Sequence, residues 1–394
     1  MSDALMASYQ QLPVAFDKGE GVWLTDQNND RYLDALSGLA VCGLGHAHPE
    51  IKRAIADQAG ILIHTSNLYQ IPLQQKLADK LTSLAGMDKV FFGNSGAEAN
   101  EAALKITRLY ARKKNISNPV VLVAEKSFHG RTLATLSATG NSKVHTGFEP
   151  LVPGFLHVPY NNIDAIQDAI AKDKNIVAVM LEPILGEGGI VVPDEGYLKN
   201  VREICNQNGI LLILDEIQTG LCRTGKWFAH QHEGILPDVM TLAKSLANGV
   251  PIGACLARGE AAELIQPGSH GSTFGGNPLA ARTALAVLDT LANEKLMERA
   301  AKLGSEMLAG FNQSLKNVKG VISIRGKGLM IGIELDRECS ELVKNALAEK
   351  LLINVTAGNV IRLLPPLIIS DDEAKQVVEI VTMLVKNFLG QVSA

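Results

Sequence analysis

The sequence predicts an α/β fold, with a mostly parallel sheet in a large domain and a smaller α+β domain after it. Three observations carry this expectation. From about residue 90, short apolar runs alternate with helical stretches, a pattern that builds a parallel sheet covered on both faces. Two of these runs, Leu211-Leu212-Ile213-Leu214 and Val239-Met240-Thr241-Leu242, are apolar on nearly every residue, as strands buried on both sides must be. After Asn277-Pro278 the pattern changes to long helical spacing, a hairpin and a closing helix.

Taken in order, residues 1 to about 45 read as short strands and turns. Gly21 to Asp26 and Arg31 to Asp34 alternate, with Asn28-Asn29-Asp30 as a turn cluster between them. Pro49 to Leu62 and Leu73 to Leu84 have helical apolar spacing. Lys89 to Phe92, Val120 to Ala124 and Ile176 to Leu181 read as strands. Glu98 to Lys113 and Gly196 to Asn206 read as helices, the second leading into a strand at Ile210. Helical spacing returns from Leu279 to Leu291 and continues from Leu303 to Leu315. A hairpin over Val321 to Arg325 and Leu329 to Glu334 follows, with helices near 340–350 and 371–389 and a strand at Val360 to Leu363. The expected division is an N-terminal segment, 1–50, packing with the small domain, a large domain, 51–280, and a C-terminal domain, 281–394.

At 394 residues, two or three domains are expected. Hydrophobic content of 46% with 20% charged residues is that of an ordinary globular chain. A net charge of −4 gives no reason to expect nucleic acid or an anionic membrane. No apolar run approaches the roughly 18 residues a membrane span needs. Met1-Ser2-Asp3-Ala4-Leu5 has no basic region ahead of an apolar one, so a secretory signal is not expected. Five scattered cysteines without a C-x-x-C pair read as reduced cytosolic thiols, so the chain is expected in the cytoplasm.

Chemistry concentrates where predicted strands end. Leu211 to Leu214 runs into Asp215-Glu216, and Asp238 to Ala243 runs into Lys244. Ligands of open α/β sheets sit at strand carboxyl ends, and a buried Asp or Lys must be paired or modified. An acid and a lysine in one crevice suit pyridoxal phosphate, with Lys244 forming the Schiff base and Asp215 facing the pyridine nitrogen. A structural ion pair is the competing reading. Gly93-Asn94-Ser95-Gly96-Ala97-Glu98 would place free amides at a helix N-terminus, a phosphate site; without a ligand it is simply a well-capped helix. In Phe128-His129-Gly130-Arg131, Phe128 could stack on a ring and Arg131 could hold a carboxylate, while His129 reads equally as packing or catalysis. Glu182 and Glu187 flank a glycine-rich loop. They read as an acid/base pair or as partners of Arg131 and Arg362, and the second fits better.

Three patterns are weighed and set aside. Gly220 to Trp227 has P-loop spacing, but Trp227 stands where a Ser or Thr must meet Mg²⁺, which disfavours an NTPase. His46-Ala47-His48 lacks a third nearby ligand, so no metal is expected. Gly271-Ser272-Thr273 has no matching His/Asp spacing for a nucleophile.

Together these motifs resemble the class III pyridoxal-phosphate-dependent aminotransferases along nearly the whole chain, from Leu44-Gly45-His46-Ala47-His48-Pro49 to Gly271-Ser272-Thr273-Phe274-Gly275-Gly276-Asn277-Pro278. The resemblance implies a fold type I transferase, a homodimer with composite sites, an amine donor, and 2-oxoglutarate as acceptor. N2-acetylornithine is the donor it most suggests. Succinylornithine, ornithine, 4-aminobutyrate and N-succinyl-diaminopimelate stay open. It implies catalytic roles for Lys244, Asp215 and Glu187, with cofactor contacts from Ser95, Gly96, Ala97, Phe128, Glu216, Ile217, Gln218 and, across the subunit boundary, Thr273. It implies substrate contacts from Arg131, Ser272, Glu187 and Arg362, with Glu187 and Arg362 exchanging partners. Leu221-Cys222 depart from the family's usual residues before Arg223-Thr224-Gly225, with no catalytic consequence expected.

Overall fold

In a computed structural model, described here over residues 4–390, seven strands form the central sheet. Their spatial order is Lys89–Gly93, Gly253–Ala257, Val239–Leu242, Leu211–Asp215, Ile176–Leu181, Val120–Ala124 and Phe155–Val158. Only Gly253–Ala257 runs against the others, pairing antiparallel with both neighbours. Along each central strand, alternate residues face opposite layers. Leu211 and Ile213 join the helix Gly96–Lys113 on one face, while Leu212 and Leu214 join Tyr197–Asn208 on the other. Double burial is why these strands read as apolar runs.

Two smaller sheets complete the molecule. The expected hairpin is present, with Val321–Lys327 antiparallel to Met330–Leu335, and Val360–Leu363 pairs with the inner strand. The N-terminal strands Phe16–Glu20, Trp23–Asp26 and Arg31–Asp34 form an antiparallel sheet. Its last strand pairs in parallel with Leu351–Leu352, tying the N-terminal segment to the C-terminal part. One buried core runs from Val22 and Leu33 through Leu242 and Leu288 to Phe311 and Ile361, so no break in packing falls at residue 280. The proposed domain division therefore rests on sheet membership rather than on separate cores, and residues 1–3 and 391–394 of its outer parts lie outside the described residues.

Several elements differ from expectation. The helix predicted from 279 to 315 is two helices, Pro278–Asn293 and Leu296–Leu315, broken at Lys295, whose φ is +53°. The helix begun at Pro49 ends at Ala59. The antiparallel strand Gly253–Ala257 was hidden behind a glycine-rich run and carries no β-branched residue. No helix of the described residues is long and apolar enough to cross a membrane.

Candidate active site

The strand ends converge on a cavity of about 390 Å³, lined among others by Ser95, Phe128, Asp215, Gln218 and Lys244. The helix Gly96–Lys113 starts there. Ser95 accepts a hydrogen bond from the Glu98 amide (3.2 Å). The expected capping box is only half formed, because the Glu98 carboxylate turns to the amide of Asn94 instead. Gly96 and Ala97 line the cavity at the positive end of the helix. The wall behind them is tight: a Cβ on Gly96 would lie 2.7 Å from Ile217, and one on Gly253 would lie 2.1 Å from the Ser95 carbonyl.

Asp215 is firmly held. Its Oδ2 accepts from His129 Nδ1 (2.8 Å) and Asn100 Nδ2 (2.8 Å), and its Oδ1 accepts from the amide of Ile217 (3.1 Å). Asn100 also donates to the His129 carbonyl (2.7 Å) and accepts from Thr241 (2.7 Å). Asp215, His129, Asn100 and Thr241 are all buried. Hydrogen bonds on every member in a dry setting make such a network rigid.

Lys244 lies two residues beyond its strand in a single 3₁₀ turn, with φ +44°, a left-handed conformation that costs on the order of 1–3 kcal/mol for a residue with a Cβ. Burial is the largest influence on its amine and lowers its pKa to about 8, against an opposing pull from Glu187. The side chain makes no hydrogen bond or ion pair among the described residues. A partly buried amine facing an open cavity, with a tight backbone cradle at a helix start opposite it, fits a covalently held phosphorylated aldehyde.

Across the cavity, Arg362 comes from the C-terminal strand Val360–Leu363. It is 1% exposed and pairs with Glu187 Oε1 at 2.6 Å. Asn354 Oδ1 accepts from Arg362 Nε (3.1 Å) and Nη2 (2.8 Å), and Gln218 Oε1 lies at 3.4 Å. Burial opposes ionisation of Glu187, but Arg362 beside it holds its carboxyl below the ordinary range. Arg131 is exposed, lies over the Phe128 ring at 5.7 Å, and has no acid in ion-pair range among the described residues.

Other expected residues have different partners or positions. Glu182 pairs with no arginine. Its two oxygens accept from the amides of Phe128 (2.8 Å) and Gly186 (3.0 Å), tying two strand-end loops together. Burial pushes its pKa upward. Glu216 does not line the cavity. Its carboxylate is held from behind by Thr219 (2.6 Å), the amides of Ala229 and His230, and the His230 ring. Ser272 and Thr273 do not line this chain's cavity either; Ser272 accepts from Asn94 (3.1 Å) and Thr273 is exposed. The P-loop-like Gly220 to Trp227 instead buries Arg223, which donates to the carbonyls of Leu329 (3.1 Å) and Pro365. Sequence reasoning gave Asn100 no role; its only local signal is an amide among alanines, one helical turn beyond Ala97.

A family model for class-III aminotransferases matches residues 5–385. An acetylornithine aminotransferase of Nitrosomonas europaea is 56% identical over 98% of each chain. The crystal structure of an ornithine aminotransferase from Toxoplasma gondii superposes with a TM-score of 0.95 at 36% identity, covering 99% of this chain and 94% of that one. An acetylornithine aminotransferase from Elizabethkingia anophelis gives a TM-score of 0.86 at 38% identity, covering 97% and 96%.

Proposed function

The chain belongs to the class III aminotransferases, which depend on pyridoxal phosphate, and from that premise we propose a specific reaction. It moves the distal amino group of N2-acetylornithine to 2-oxoglutarate, giving N-acetylglutamate 5-semialdehyde and glutamate. The observation that carries this reading is the inequality of the two arginines. Arg131 is open to a carboxylate, whereas Arg362 already has one in Glu187. A donor with a CH₂ beside its reacting amine and one distant carboxylate needs only the first. Glutamate has a second carboxylate on its reacting carbon and needs the second arginine as well. The acetylornithine aminotransferases similar to this chain agree with the choice of donor.

In this reading Lys244 would hold the cofactor covalently, and Ser95, Gly96 and Ala97 would hold its phosphate; Phe128, Ile217, Gln218 and Asp215, which line the same cavity, would hold its ring. When bound, the cofactor supplies an aldehyde for the amine and a ring that draws electrons from the adjacent carbon. Lys244, with its lowered pKa, takes and returns the substrate proton near neutral pH. Asp215 keeps one orientation because three donors fix it. Arg131 orients the distal carboxylate.

We further propose a homodimer with Thr273 and Ser272 reaching the partner's cavity. The exposed apolar side chains Ile61, Leu68, Tyr69 and Phe274 support it. So do the contacts joining their two loops, in which Asn67 donates to the carbonyls of Ser272 (3.0 Å) and Gly275 (3.0 Å). Five unpaired cysteines support a cytosolic setting.

The test is a panel of amines with 2-oxoglutarate as acceptor, compared by kcat/KM. N2-acetylornithine is expected to exceed ornithine and 4-aminobutyrate by at least about tenfold, a difference of about 1.4 kcal/mol. A higher value for either competitor would sink the assignment.

A further inference from the structure

We propose that Glu182 is a positioning residue that sets the distance between the two carboxylate-binding ends of the cavity, and with it the length of oxo acid the enzyme prefers. The inference rests on 2-oxoglutarate being the acceptor that spans Arg131 and Arg362. Two neighbouring strands of the sheet, Val120–Ala124 and Ile176–Leu181, each run into a loop that lines the cavity. The first loop carries Phe128 and Arg131. The second carries Glu187 and, through it, holds Arg362. Glu182 is the first residue beyond its strand, is buried, lines the cavity, and forms no ion pair among the described residues. Its Oε1 accepts from the amide of Phe128 (2.8 Å) and its Oε2 from the amide of Gly186 (3.0 Å), one from each loop.

Each loop is stiff within itself, so the join between them decides the spacing. In the first, the His129 amide donates to Thr139 Oγ1 (2.9 Å) and its ring meets Asp215. Gly130, with φ +140°, is so enclosed that a Cβ there would lie 2.5 Å from Thr135 Oγ1. In the second, Leu185 and Val191 exchange two backbone hydrogen bonds (3.1 Å each), and Thr356 donates to the Glu187 carbonyl. A Cβ on Gly186 would lie 2.4 Å from Gln218 Oε1. The loops meet at two points. One is the Glu182 bond to Phe128, and the other is the approach of Gly188 to the Lys126 carbonyl, where a Cβ would lie at 2.6 Å. Tyr160 steadies the join from behind, its hydroxyl donating to the carbonyls of Glu182 (3.0 Å) and Pro183 (2.9 Å).

A glutamate suits this place because it offers two acceptor oxygens to two N–H groups. Glutamine keeps one acceptor but turns an NH₂ toward the other amide, donor against donor, so one loop must move away. Charged ends held at a fixed separation penalise a dicarboxylate that reaches only one of them, and they lose that power once the separation is free to vary. Both oxygens of Glu182 are taken by backbone amides. Glu182 therefore acts through the loops that carry Arg131 and Glu187, not on the reacting atoms.

The test compares the holoenzyme with Glu182→Gln and Gly188→Ala, using one amine and three acceptors: 2-oxoglutarate, oxaloacetate (one methylene shorter) and 2-oxoadipate (one longer). The wild type should prefer 2-oxoglutarate over each neighbour by at least about tenfold in kcat/KM. Each variant should bring the preference over at least one neighbour below about threefold, through KM rather than kcat. A merely structural role would weaken all three acceptors in proportion. That result, or a wild-type preference retained in either folded variant, overturns the proposal. If Glu182→Gln does not fold, Gly188→Ala, which parts the loops while leaving the carboxylate in place, decides alone. The acceptors are compared with one amine throughout, so the outcome does not depend on which amine is the natural donor. A wild type without preference would refute the 2-oxoglutarate reading and this proposal with it, whereas a preference kept in the variants refutes the proposal only.

Discussion

Of the three carboxylates that line the cavity, Asp215 and Glu187 are held in opposite ways. Asp215, on the central sheet, accepts three hydrogen bonds and is 4% exposed. Glu187, on a loop, has one side-chain partner, Arg362, and its own side chain is 35% exposed. The first arrangement leaves no alternative position of comparable energy. The second can release its arginine into a site where a substrate carboxylate replaces the glutamate. Two substrates of unequal charge using one cavity need both kinds of wall: one that never moves under the ring, and one that yields beside the substrate.

The largest expected effect is on the fixed wall. Lys244→Met should lower turnover by on the order of 10⁴-fold while stabilising the cofactor-free protein by up to about 3 kcal/mol. The sign follows from the lowered pKa of a base: the partly buried ammonium is costly below pH 8, and the penalty fades as pH rises toward 10.5. Denaturant melts of both proteins at pH 7 and pH 10 check this. A gap that does not close at the higher pH would show that burial of charge is not the cause. Next, Asn100→Ala removes one donor from Asp215 and strands the Thr241 hydroxyl. Cofactor affinity, read by fluorescence titration, should fall about tenfold to a hundredfold. No change would mean that the wall does not need its network.

The two walls were also unequally legible in the sequence. Lys244, Asp215 and Ser95 stand out because each ends an apolar run or opens a helix, signals that lie within a few residues. The network around Asp215 is invisible there, because Asn100 and Thr241 meet it only through the order of strands in space. The partner of Glu182 was misjudged for a similar reason. Charge counting offered an arginine, but two backbone amides arrived first with better geometry. The strand Gly253–Ala257 was missed because small residues, not β-branched ones, let it pass close to Ser95. Pairing of Arg31–Asp34 with Leu351–Leu352 joins residues more than 300 positions apart, which no local pattern reports.

On the yielding wall, Glu187→Gln should slow the acetylornithine half-reaction about tenfold and the glutamate half-reaction much less, each followed by absorbance in single turnovers. Loss of the negative charge leaves Arg362 exposed to a donor that has no carboxylate for it. Equal losses would make Glu187 part of the fixed wall and erase the contrast between the two carboxylates.

Asn354→Ala supplies the finer control. Asn354 accepts two hydrogen bonds from Arg362 on the side away from Glu187, so it anchors the guanidinium whichever acid faces it. Removing it should cost both half-reactions a similar few-fold, about 1 kcal/mol. The pair of variants thus separates holding the arginine in place from neutralising it. If Asn354→Ala instead reproduced the unequal losses of Glu187→Gln, Arg362 would have to swing bodily between substrates. The yielding element would then be the arginine on Val360–Leu363 rather than the acid on its loop.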